Sequence, residues 1–139
     1  MKPVVFYTVA DNNNKKYADM MLNSLRKFHP DIPHVLIGQE ELDKFADPQK
    51  FYRSYAIFGE RLSKEYELVI NIDADSIVTG DLNHVIEDTS YEIGGVLNNN
   101  LIDPPLGIFN IPPVFYLNAG FLAVRSPRFW SWWAKVNYT

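Results

Sequence analysis

Hydrophobic and polar positions alternate along this chain in blocks of two kinds. Short apolar runs read as strands, and stretches with apolar residues at three- and four-residue spacing read as helices. Val4–Val9 is rich in β-formers and, apart from Thr8, apolar on both faces, the pattern of a central strand buried on both sides. The polar run Asp11-Asn-Asn-Asn-Lys-Lys16 follows as a turn with capping residues. Tyr17–Phe28 then places Tyr17, Met20, Met21, Leu25 and Phe28 on one helical face, and His29-Pro30-Asp31 ends that helix because proline cannot continue it. His34–Ile37 reads as a second strand, Glu40–Phe45 as one or two helical turns, and Gln49–Leu62 as a helix with Tyr52, Tyr55, Ala56 and Gly59 at helical spacing. Leu68–Ile72 is the third strand, and Asp73-Ala74-Asp75 sits at its carboxyl end.

The second half is less regular. Ser76–Thr79 reads as a short strand, Asn83–Glu87 as a short helix, and Tyr91–Leu97 as a strand interrupted by Gly94-Gly95. The pairs Pro104-Pro105 and Pro112-Pro113 exclude a helix between them. Tyr116–Val124 is an apolar strand containing Asn118-Ala119-Gly120, and Ser126-Pro127 opens a final helix with Ser as N-cap and Pro at its first position. That helix carries Phe129, Trp130, Trp132 and Trp133, read as core. Strands alternating with helices predict an α/β fold: a mixed, mostly parallel sheet flanked by helices.

Length and composition narrow this. At 139 residues and 16.0 kDa the chain has room for one domain, residues 1–139. Apolar residues at 47% and an aromatic complement of 9 Phe, 8 Tyr and 3 Trp exclude intrinsic disorder. A net charge of −4 argues against nucleic acid as a partner, since phosphate backbones need a basic face. Without cysteine there is no disulfide framework and no thiolate metal site. No apolar run approaches the roughly 18 residues of a transmembrane span, and the first apolar stretch reads as a buried strand rather than a secretory leader. The expectation is a cytoplasmic protein. His29, His34 and His84 have no joint spacing and read as separate loop or surface residues.

The chemistry concentrates in Asp73 and Asp75. In open α/β sheets ligands bind beyond the carboxyl ends of the strands. Two carboxylates released there can reach one hard cation, which takes oxygen ligands and usually shares them with substrate phosphates. That suits cleavage next to a diphosphate, where the cation neutralises the leaving group. A solvated turn or a helix cap is the plainer reading of the same pair.

The segment Ile72-Asp-Ala-Asp-Ser-Ile-Val-Thr-Gly-Asp-Leu82 resembles the Asp-x-Asp signature of nucleotide-sugar glycosyltransferases with the GT-A fold, of the glycosyltransferase family 8 type. Tyr7-Thr-Val-Ala-Asp11, with Tyr17 and Ser24-Leu25 after it, resembles the family's first strand and helix, and Tyr116-Leu-Asn-Ala-Gly-Phe121 its Phe-Asn-Ala-Gly strand. The resemblance implies a Rossmann-like GT-A fold and a metal-dependent, retaining glycosyltransferase that uses a UDP-sugar. Asp73 and Asp75 would hold Mn2+ or Mg2+, with Asn118 beside them in the catalytic set. Thr8, Ala10, Asp11 and Tyr17 would line the nucleotide site, Ala74 the ribose, Arg53 the diphosphate or donor sugar, and Asn118, Ala119 and Gly120 the donor sugar and acceptor. The acceptor (glycan, lipid, protein or small molecule) is not encoded in any motif.

Family members also have a second half with a late His-x-x-Gly-x-x-Lys-Pro segment that completes the metal site, and this chain has none. The expectation is therefore a single donor-binding domain, short of the family's C-terminal part. Two other readings use the same residues: a haloacid-dehalogenase-type phosphohydrolase with Asp73 as nucleophile and Asp75 as acid/base, and a non-catalytic nucleotide-binding fragment.

Overall fold

A computed structural model describes residues 1–45, 50–97 and 117–136. Five strands, β1 (Lys2–Val9), β2 (His34–Ile37), β3 (Tyr66–Ile72), β4 (Ile93–Leu97) and β5 (Leu117–Val124), form one sheet in the order β2-β1-β3-β5-β4. The pairs β1/β2 and β1/β3 are parallel. β5 runs antiparallel to both of its neighbours, β3 and β4. Four strands therefore point one way and β5 the other, the mixed, mostly parallel sheet expected of an α/β chain.

Both faces are covered. On one, Val5, Tyr7, Val9 and Val69 pack with Leu42 of α2 (Gln39–Leu42), Tyr55 and Phe58 of α3 (Lys50–Leu62), and Trp130 of α5 (Pro127–Val136). On the other, Val4, Phe6, Leu68, Ile70 and Ile72 pack with Met21 and Leu25 of α1 (Lys15–Phe28), and with Val85 and Ile86 of α4 (Asn83–Glu87). Successive residues of β1 from Val4 to Tyr7 alternate between these two cores, which is why that stretch is apolar on both faces. α3 and α5 approach closely at Gly59, where an added Cβ would lie 2.6 Å from Trp130 Cδ2 and Cζ3. Trp130 is fully buried, so its ring fills the notch that the missing side chain leaves.

Several expectations are corrected. Ser76–Thr79 is not a strand: the Val78 N–H donates to Ser24 Oγ at 2.9 Å, so a side chain takes the place of a neighbouring strand. On α1 the buried face is Ala18, Met21 and Leu25, while Tyr17, Met20 and Phe28 are exposed. The small Ala18 lets the helix seat against the end of the sheet, which turns the larger side chains outward. Gly94-Gly95 does not interrupt β4; the strand continues through a bulge between Gly95 and Val96. His29 lies in the loop after α1 as expected but is buried and accepts the Leu82 N–H at 2.8 Å; His34 is half-buried in β2, neither loop nor surface, and His84 is exposed as expected. Of the tryptophans, Trp130 is core and Trp132 is exposed at 58%. The proline pairs lie outside the described residues.

Candidate functional site

β1 connects through α1 to β2 on one side of it, and β2 connects through α2 and α3 back across to β3 on the other. The carboxyl ends of β1 and β3 thus flank the point where the winding reverses, the place where such sheets open a crevice. The register pairs Tyr7 with Asn71, so Val9 and Ala10 end beside Asp73 and Ala74.

Asp73 leaves β3 with its N–H still donating to Gly120 O of β5 at 2.8 Å. The Ser76 N–H then returns to Asp73 O at 3.2 Å and closes a tight turn. Ala74 is buried against Ala10 and Ala18, a contact that only small side chains permit. The central residue of Asp-Ala-Asp therefore turns inward. Its two acidic neighbours stand at the rim of a cavity of about 200 Å³, lined by Val9, Asn14, Tyr55, Asp73, Ala74 and Asp75.

The two carboxylates differ. Asp75 is exposed and Asp73 is half-buried. Burial raises the Asp73 pKa above the ordinary carboxylate value; the hydrogen bond donated by Tyr55 Oη to Oδ1 at 3.1 Å opposes this, and the charge of Asp75 adds to it. Tyr55 is in turn fixed through its backbone carbonyl, which accepts the Tyr7 hydroxyl at 2.9 Å. The Tyr7 phenol is fully buried, and burial pushes its pKa well up, so it stays a neutral donor. Among the described residues no third His, Asp or Glu gathers with the pair. The donor set is two hard carboxylates on one turn, which suits a Mg2+ or Mn2+ ion that completes its shell with phosphate and water.

The other expected residues fall into three groups. Gly120 meets the site through its carbonyl bond to Asp73, and it lines a neighbouring cavity of about 340 Å³ with Ile72, the loop residues 76–82 and Phe121. Ala10 and Asp11 lie at the end of β1. Ala10 is buried, and Asp11 Oδ1 accepts both the N–H and the side-chain amide of Asn14, at 2.9 and 2.8 Å, and so organises the turn into α1. Of the rest, Thr8, Tyr17 and Arg53 are not among the described lining residues of the Asp73 cavity. Thr8 is fully buried with its hydroxyl 3.0 Å from His34 Nε2. Tyr17 is exposed beneath the Lys16 ammonium. Arg53 is half-buried on α3. Asn118 and Ala119 are placed by backbone only, in β5, where Asn118 pairs with Val96. The sequence reading passed over Val9, Asn14 and Tyr55. Only the strand order could single out Val9, and Tyr55 had the helical spacing of a core residue.

No protein-family model and no curated protein matches the chain. Solved structures do. The galactosyltransferase LgtC, in complex with donor and acceptor sugar analogs, superposes over 95% of this chain with a TM-score of 0.61 at 16% identity. The apo-form glycosyltransferase GlyE of Streptococcus pneumoniae superposes over 99% with a TM-score of 0.60 at 15% identity. The chain spans 64% of the length of LgtC and 37% of that of GlyE. At these identities the likeness establishes the fold, and that fold is shared with glycosyltransferases. Among the described residues no helix is long and apolar enough to cross a membrane.

Proposed function

We propose that this chain is the donor-binding domain of a metal-dependent glycosyltransferase that takes its sugar from a nucleotide diphosphate, UDP being the expected nucleotide. The carrying observation is the Asp73–Asp75 turn, held at the winding reversal of a glycosyltransferase-like fold with both carboxylates on one cavity. Asp73 and Asp75 would hold the ion; burial first, and then the Asp75 charge, raises the Asp73 pKa, and a divalent cation would offset both by favouring the ionised pair. When bound, Mn2+ or Mg2+ supplies charge neutralisation at the diphosphate leaving group. Ala74 keeps the turn thin, which allows backbone to approach a ligand closely. Gly120 ties the turn to β5, so the segment Asn118–Gly120 stands beside it, where the resemblance places donor sugar and acceptor. Retention of configuration belongs to the same reading.

The phosphohydrolase alternative draws less support: no lysine is among the described lining residues, and the acidic pair follows the third strand in chain order.

Calorimetric titration with UDP tests the proposal. Heat of binding is expected with Mn2+ present and not with chelator, and Asp75→Ala should lower the affinity at least tenfold. A folded wild-type chain that shows no Mn2+-dependent UDP binding overturns it.

A further inference from the structure

The geometry points to Tyr55 as the positioning residue of the cation site, setting the Asp73 carboxylate by a hydrogen bond to one oxygen so that the other faces a ligand. The inference rests on the proposed function for the identity of the cation, but not for the positioning itself.

An aspartate at a half-buried rim has two free side-chain torsions, and here the neighbouring Asp75 charge pushes against it. Its backbone is fixed by Gly120, which leaves the carboxylate itself to be held. Tyr55 Oη donates to Asp73 Oδ1 at 3.1 Å. Among the described residues Oδ2 accepts no hydrogen bond, so its lone pairs remain for a cation. Tyr55 can act as a fixed point because its own place is over-determined. Its side chain is buried at 8% exposure, and its carbonyl accepts the hydroxyl of Tyr7, a residue of the central strand β1. The Tyr7 ring meets Trp130 edge-on at 6.0 Å, and Trp130 fills the notch at Gly59, one helical turn beyond Tyr55 on α3. The tyrosine hydroxyl is thus carried by a helix locked on two sides and projected at a carboxylate from another element. Hydrogen-bonding partners of this kind orient metal ligands, and their removal costs about 10–100-fold in metal affinity.

Tyr55→Phe in the full chain removes the hydroxyl that donates to Asp73 and keeps the ring. Two readouts separate positioning from bulk structure. Without metal, the Asp73 β-proton couplings measured by NMR should report one rotamer in the wild type and an average in the variant. With metal, Mn2+ affinity measured by calorimetry should fall about tenfold in the variant, while thermal unfolding stays close to wild type. Tyr7→Phe is the control: it loosens α3 without touching the bond to Asp73 and should weaken Mn2+ binding less than Tyr55→Phe does. An unchanged Asp73 rotamer in Tyr55→Phe, or equal losses in the two variants, overturns the inference. Rotamer averaging in Tyr55→Phe with no Mn2+ binding by the wild type upholds the positioning and overturns the metal-dependent function.

Discussion

The two helical layers hold the Asp73–Asp75 turn by different physics. On the α3/α5 side the contact is apolar and tight: Trp130 sits in the Gly59 notch, edge-on to Tyr7 and Phe129 and stacked on Trp133 at 5.6 Å. On the α1 side the ties to the loop after the turn are polar, with Ser24 Oγ accepting the Val78 N–H and His29 Nε2 accepting the Leu82 N–H. Close packing fixes where a rigid helix sits, to within a methyl group, and so can aim one side chain. Side-chain acceptors satisfy the N–H groups of an irregular segment that no strand reaches, and so can fix a loop's path. One layer positions Tyr55, and the other shapes the 340 Å³ cavity next to the carboxylates.

Breaking the packed layer should have the largest effect. Trp130→Ala should cost about 3–5 kcal/mol, read from the urea midpoint, because it leaves a large cavity between α3, α5 and the sheet. Such a loss is a large part of the roughly 5–15 kcal/mol that holds a domain of this size together.

A pH titration sharpens the comparison on the polar side of the molecule. Burial, then the nearby Arg26 guanidinium, lowers the His34 pKa from 6.5 to about 4. The unfolded chain therefore takes up a proton before the folded one does. The stability this imidazole contributes is complete above about pH 6.5 and is lost as pH falls toward about 4. The loss should be roughly 1–2 kcal/mol once the ring's partial exposure is allowed for. His34→Asn should flatten this part of the stability–pH curve measured by urea unfolding.

The smallest effect should come from a single loop tie. Ser24→Ala removes one acceptor and should cost about 1 kcal/mol. Hydrogen exchange should show the Val78 amide roughly fivefold faster, with the core amides of β1 and β3 unchanged. Equal acceleration across the sheet would mean that the loop and the packed layer are one cooperative unit.

Much of the fold was legible before any coordinates. The two-faced apolar runs of β1 and β3, the stop at Pro30 and the start at Pro127 are local signals, and the structure keeps them within a few residues. The exposed side of α1 was not legible. Periodicity groups Tyr17 with Met21 by angle, but the wedge of Ala10, Ala18 and Ala74 chooses which edge of that stripe meets the sheet. Nor was the buried role of His29, because its partner, Leu82, is 53 residues away in the chain.

By itself the sequence determined most of the element types, though not the irregular segment 76–79, together with the acidic pair at the end of an apolar strand and the small residue between the two carboxylates. Those follow from neighbours within a turn or two, where side-chain size and backbone preference act directly. Only the tertiary structure decided that β1 and β3 lie side by side, that β5 runs back against β3 to place Gly120 on Asp73, and that Tyr55 faces the carboxylate. Apolar strands of similar length bury their side chains equally well in several orders. Composition and periodicity therefore leave the order open, and the packing of helices onto both faces selects one.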